Sequence, residues 1–173
     1  MKSQTLNEFV KECIADALVK VMASKSFNDI TITEIVSLAD VGRATYYRNF
    51  SSKDDILYYK ITLLLSEWLE KIPPNVNRKE KTTLFFKFLQ SEKELLELIY
   101  KHEKGYIILD SYLNMPPDLR HVLDEQNIMD IFYIYGVFGI TEAWIKNGML
   151  EDPEELASIL LRKIHPTDGS HVS

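Results

Sequence analysis

Apolar residues recur every three to four positions along almost the whole chain. Leu6, Phe9/Val10, Cys13/Ile14, Ala17/Leu18 and Val21/Met22 line one face of a first helix, with Cys13 on that stripe as a small core residue. The same period predicts helices over 4–24, 32–39, 43–49, 53–72, 79–90, 92–103, 105–113, 118–147 (broken near its start) and 153–164. Thr31–Glu34, Ser52–Asp55, Ser91–Glu94 and Asp152–Glu155 each place a side-chain acceptor at a helix start and an acid three residues on. That pairing satisfies free amides and suits the positive end of the helix dipole. Pro153 fits a first helical position, Asn147-Gly148 a helix stop, and Pro73-Pro74-Asn75 and Met115-Pro116-Pro117 are breaks. No segment alternates as a strand between hairpin turns. The fold class is all-α, with about nine helices and a polar tail, 165–173, expected to fray.

The pair 32–39 and 43–49 is joined by only Asp40-Val41-Gly42. Short helices joined so tightly must cross steeply, as in a helix-turn-helix. Ile32, Ile35, Val36 and Ala39 supply the inward face of the first, Val41 plugs the turn, and Ala44, Tyr46 or Tyr47, and Phe50 pack back from the second. Arg43, Thr45, Arg48 and Asn49 then point outward with one tyrosine edge. Guanidinium suits guanine, an amide suits adenine and hydroxyls suit phosphates. The same polar face would equally suit an ordinary solvated helix pair.

Charge sharpens this only locally. The 173-residue chain has a net charge of −6, which argues mildly against nucleic acid. Residues 1–53 hold seven Lys/Arg against six Asp/Glu, leaving thirteen against twenty in the remainder. Within 41–53, Arg43, Arg48 and Lys53 stand without an acid. One cysteine excludes an internal disulfide, and no apolar run approaches the roughly 18 residues of a membrane span. The start of the chain has no signal-peptide core. These features predict a soluble, cytoplasmic protein without membrane contact.

The run from Thr31 to Leu57 strongly resembles the DNA-binding segment of TetR-family transcriptional regulators. An isoleucine-rich helix, a tight turn, Thr45-x-Tyr47-x-x-Phe50 and Lys53 at the next helix all fall in register, over about the first 70 residues. The resemblance implies that Thr33, Tyr47 and Lys53 contact phosphates, that Arg43, Thr45, Arg48 and Asn49 face the major groove, and that Tyr46 packs inward. Two positions depart from the family pattern. Asp40 replaces a glycine, and Asp tolerates a left-handed backbone. Gly42, in the DNA-binding segment, replaces the Ser or Thr that commonly caps the recognition helix. The implied organisation is a DNA-binding domain over 1–53, running into helix 53–72, and an effector-binding and dimerisation domain over 54–173. The implied function is a regulator, by family majority a repressor, that binds a pseudo-palindromic duplex operator as a homodimer under a small-molecule effector.

Ile131 to Ile140 is ten residues without a charge, too short to span a bilayer and apolar on every side if helical. Self-association about a twofold axis would cover it, with helix 153–164 completing a four-helix interface. Phe132, Tyr135, Gly136, Gly139, Ala143, Leu156 and Leu160 are the candidate contacts; a helix buried wholly within the chain is the alternative. The stretch Tyr135–Met149 with Asp152-Pro-Glu-Glu-Leu156 resembles the C-terminal domain of a TetR subgroup common in Gram-positive bacteria, and also a dihydroxyacetone-kinase activator type. In the middle helices, Phe85, Phe86, Phe88, Tyr100, His102, Tyr106 and Tyr112 suit either plain core or an effector pocket. Tyr100, His102 and Tyr106 are its candidate polar contacts.

No phosphate loop, dinucleotide fingerprint, zinc-protease motif or nucleophile elbow appears, so no catalytic residue, metal ligand or cofactor is assigned. A di-iron bundle needs two Glu-x-x-His pairs, and Asp118-x-x-His121 is the nearest approach. The non-enzymatic alternative is a helical adaptor or coactivator acting through protein contacts without direct operator binding.

Overall fold

The computed structural model describes residues 5–115 and 128–164, the side chains of the second stretch from 131 to 162. Among these residues the chain is helical without strands. The helices are α1 (Leu6–Met22), α2 (Ile32–Leu38), α3 (Arg43–Asn49), α4 (Lys53–Lys71), α5 (Arg78–Ser91), α6 (Lys93–Lys101), α7 (Tyr106–Leu113), α8 (Ile128–Lys146) and α9 (Pro153–Ile164), with a 3-10 turn at Phe27–Asp29. The start of the helix expected from 118, the Asp118/His121 pair and the tail from 165 lie outside the described residues.

Local chemistry explains most boundaries. Thr31 and Glu34 form the expected reciprocal cap of α2. Thr5 with Glu8 and Asn77 with Glu80 do the same for α1 and α5. Asp152 accepts from the amides of Glu154 and Glu155 at 2.8 and 3.2 Å. Ser91 behaves otherwise than expected. It is the last residue of α5, and its hydroxyl donates back to the Phe88 carbonyl at 2.6 Å. At α4, the Asp55 amide donates to Ser52 Oγ, while the Asp55 carboxylate accepts from Ser51. α8 stops where Gly148 turns left-handed (φ 81°), with Met149 N–H on the Trp144 carbonyl and Gly148 N–H on that of Ile145.

The contacts divide the described residues into two compact units. One comprises residues 5–65 together with 101–114; the other comprises 66–100, 115 and 128–164. In the first unit, Ile14, Leu18 and Met22 of α1 meet a core containing Ile35, Tyr46, Ile56, Leu57 and Ile107, all fully enclosed. The α1 stripe is buried only from its third turn: Leu6 and Phe9 remain exposed, and Cys13 is half-buried rather than enclosed.

In the second unit α5 packs along α9, and α8 also meets α9. Trp68 stacks on Phe88 at 5.8 Å between ring centres and tilts on Phe85 at 5.0 Å. Phe86 meets Trp144 edge-on at 5.6 Å, and the Trp144 indole N–H donates to the Glu151 carbonyl. Phe85, Phe86 and Tyr112 are thus core residues of their units. No helix among the described residues is long and apolar enough to cross a membrane.

Candidate nucleic-acid interface

α2 and α3 form the tight pair that the turn dictates. Val41 N–H reaches the Val36 carbonyl at 3.0 Å and Asp40 N–H that of Ser37 at 3.4 Å, the paired bonds that end a helix on a left-handed residue. Asp40 is that residue, at φ 53°, the position for which glycine is the usual solution. Gly42 precedes α3 as its N-cap at φ −75° and offers no side-chain cap, and a Cβ there would meet open space. The hydroxyl of a Ser or Thr is therefore absent for want of the residue, not of room.

Burial sorts α3 by face. Tyr46 is fully enclosed and Phe50 nearly so, their rings 6.3 Å apart. Tyr47 is 64% exposed and sets its ring edge-on to Tyr46 at 5.1 Å. Ala44, expected to pack inward, is exposed instead, and Tyr46 and Phe50 carry the buried face. Arg43 and Arg48 are exposed, and Thr45 and Asn49 are half-buried. The Tyr46 hydroxyl is buried without a hydrogen-bond partner among the described residues, and burial raises its pKa.

The outward side chains are tied to neighbours. Arg43 Nη2 donates to Thr33 Oγ1 of α2, bridging the two helices. Arg48 Nη2 donates to Thr45 Oγ1 at 3.2 Å, and Asn49 Nδ2 to the Thr45 carbonyl at 2.9 Å. Thr33 itself is exposed at the second position of α2. Glu34, next to it, is held down to a pKa of about 2 by its bond with Lys25 and by the Thr31 amide and hydroxyl.

Lys53 is engaged in a way its sequence context does not reveal. Its ammonium donates to the carbonyls of Phe27, Asn28 (3.3 Å) and Ile30 (2.8 Å) and lies 5.0 Å over the Phe27 ring. Burial lowers its pKa from the ordinary lysine value. It thus pins the start of α4 to the segment leading into α2. Lys104 lies 4.6 Å over the same ring and pairs with Asp54 at 2.7 Å.

The candidate effector residues do not share one unit. Tyr100 belongs to the C-terminal unit; burial pushes its hydroxyl up to about 12, and Lys146 lies 5.9 Å over its ring. His102 and Tyr106 belong to the N-terminal unit. The Met22 carbonyl accepts from His102 Nε2 at 2.9 Å, and the Tyr106 hydroxyl donates to Asp54 at 3.4 Å. Sequence reasoning missed a cleft of about 530 Å³ between the starts of α5 and α9, lined by Val76, Asn77, Lys79, Thr83, Leu84 and Glu154 among others. Its mixed polar lining has no sequence signature.

The candidate dimer residues separate into two groups. On α8, Phe132 is 59% and Tyr135 54% exposed; Gly139 and Ala143 are exposed on following turns, and Gly136 is half-buried. A Cβ on Gly139 would meet nothing within 4 Å. Leu156 and Leu160 of α9 are buried within their own chain, where α9 lies along α5. An amphipathic helix has one apolar face to spend, and α9 spends it on the core.

Comparison with known proteins agrees with this architecture. Residues 14–58 match the family described as bacterial regulatory proteins, tetR family, and residues 77–166, just over half the chain, match the transcriptional regulator C-terminal region of TetR type. No curated protein matches significantly by sequence. Among solved structures, a TetR transcriptional regulator from Streptococcus agalactiae is similar with a TM-score of 0.64 at 17% identity, over 92% of this chain and 95% of that one. The fatty acid degradation regulator FadR from Bacillus halodurans gives 0.62 at 17% over 98% and 100%. The dihydroxyacetone kinase operon activator DhaS gives 0.60 at 18% over 90% and 93%. These relatives are transcriptional regulators rather than enzymes. The chain belongs to the TetR family of bacterial regulatory proteins.

Proposed function

We propose that the protein is a DNA-binding transcriptional regulator that grips a pseudo-palindromic operator as a homodimer. The observation that carries this reading is the outer face of the α2–α3 pair, where Arg43, Tyr47 and Arg48 stand exposed beside Thr33. Guanidinium and hydroxyl groups on a short helix suit base edges and phosphates. Two such helices must lie about one helical turn of DNA apart, roughly 34–36 Å, or a multiple of it. A second copy would provide that repeat through the exposed α8 face of Phe132, Tyr135, Gly139 and Ala143, whose small residues permit close backbone approach.

Repression is the family's majority behaviour, and a small-molecule effector would act by favouring the state in which the two helices are wrongly spaced. Tyr100 and the cleft beside Lys79 and Thr83 are the starting points for locating it in the C-terminal unit. Soluble, cytoplasmic residence follows from this role. A mobility shift with the duplex upstream of the protein's own gene tests the reading. Retardation that survives excess random DNA is expected; retardation abolished equally by random DNA, or none, would favour the adaptor alternative.

A further inference from the structure

The two arginines of α3 are held differently. Arg48 bonds to Thr45, three residues back in the same helix, so its guanidinium lies along α3. Arg43 bonds across the helix pair to Thr33 of α2. It is also the first residue of α3, the end of a recognition helix that reaches base edges. Asn49, the residue type suited to adenine, has its amide nitrogen drawn back onto the Thr45 carbonyl and is half-buried.

We propose that Thr33 is a positioning residue that aims Arg43, and that this face reads guanine through Arg43. The inference rests on the operator-binding reading above. A free arginine side chain must give up several rotors to make a planar, two-bond contact; one that is already bridged loses less on binding. The bond to Thr33 uses one of five guanidinium N–H donors, leaving enough for the O6 and N7 acceptors of guanine. The Thr33 hydroxyl can still donate its own hydrogen to a phosphate, so the two roles separate by what they do to base preference.

The test is selection from a pool of randomised duplexes with the full chain, followed by affinity measurements on the selected duplex and its single-base variants. The proteins are wild type, Arg43→Ala, Thr33→Val and Thr33→Ser. Wild type is expected to select a half-site with a fixed guanine, and Arg43→Ala to lose about tenfold discrimination there. Thr33→Val, which keeps shape and drops the hydroxyl, should lose roughly threefold at that same base pair, and Thr33→Ser should restore it. A Thr33→Val protein that binds every duplex more weakly with discrimination intact would overturn the proposal and leave operator binding standing. So would a selected half-site without a guanine sensitive to Arg43. Failure of wild type to select any sequence would remove the operator-binding reading, and the proposal with it.

Discussion

The two units present surfaces of opposite chemistry built on the same device, a helix with one face left outside. α3 exposes Arg43, Tyr47 and Arg48, with the guanidinium groups tethered to threonine hydroxyls. α8 exposes Ile131, Phe132 and Tyr135, followed by Gly139 and Ala143. Charged groups on the first face lose little by waiting in water, whereas large apolar side chains on the second gain by leaving it. The contrast teaches that exposure alone does not name a partner. The chemistry of what is exposed matters more: cationic groups suit a polyanion, and an apolar face suits a like surface.

The sharpest way to break this contrast is a pair of substitutions on neighbouring helices. Leu160 is buried in its own chain, so Leu160→Ala should cost folding about 2–5 kcal/mol, seen as a lower urea midpoint. Phe132→Glu should convert a dimer to a monomer in sedimentation, a loss of about 2 kcal/mol or more at the interface, and should lower the midpoint only by the stabilisation that dimerisation supplied at that protein concentration. Dimers that persist in Phe132→Glu would remove α8 from the interface.

Lys53→Ala comes next. Three carbonyls lose their ammonium partner, which should lower stability by about 1–3 kcal/mol in a denaturant titration. If Lys53 also meets phosphate, as the family resemblance implies, affinity for all duplexes should fall alike. The slope of log affinity against log salt for the wild-type dimer would then be about −5. With only Arg43 and Arg48 engaged in each chain it would be about −3.5.

In the N-terminal unit, Tyr46→Phe removes a buried hydroxyl that has no partner among the described residues, and should raise stability by up to ~1 kcal/mol without altering DNA affinity. A destabilised Phe variant would reveal a partner for that hydroxyl.

The smallest effect is on pH dependence. The Glu34 carboxylate is held down to about 2 by Lys25 and the Thr31 cap, below its ordinary value of 4.5. A depressed carboxylate adds stability that is fully present above pH 4.5 and is lost as pH falls toward 2. Glu34→Gln should therefore flatten the acid limb of the stability profile over that window; an unchanged limb would contradict the cap.

What was legible in the sequence was local. The Thr31–Glu34 cap and the Gly148 stop each depend on residues within six positions, so residue type and spacing sufficed, while the left-handed Asp40 was legible through the family resemblance. The bonds that give the site its character are longer. Lys53 reaches carbonyls 23 to 26 residues back, and Arg43 reaches Thr33 across a turn whose angle sets the pairing. Likewise Leu156, Leu160 and Phe132 all read as apolar helix positions. The packing of α9 along α5 takes Leu156 and Leu160 inside, while Phe132 of α8 is left exposed. The inclusion of 101–114 in the N-terminal unit, through His102 on the Met22 carbonyl and Tyr58 on Asp110, has no sequence signal.

Operator binding by a dimer is settled by titrating the purified chain into a labelled upstream duplex at fixed salt, following anisotropy, and weighing the complex by sedimentation. Saturation at two chains per operator, with affinity at least about a thousandfold above that for random duplex, is the predicted result. Equal affinity for both duplexes, or a complex holding a single chain, would contradict it.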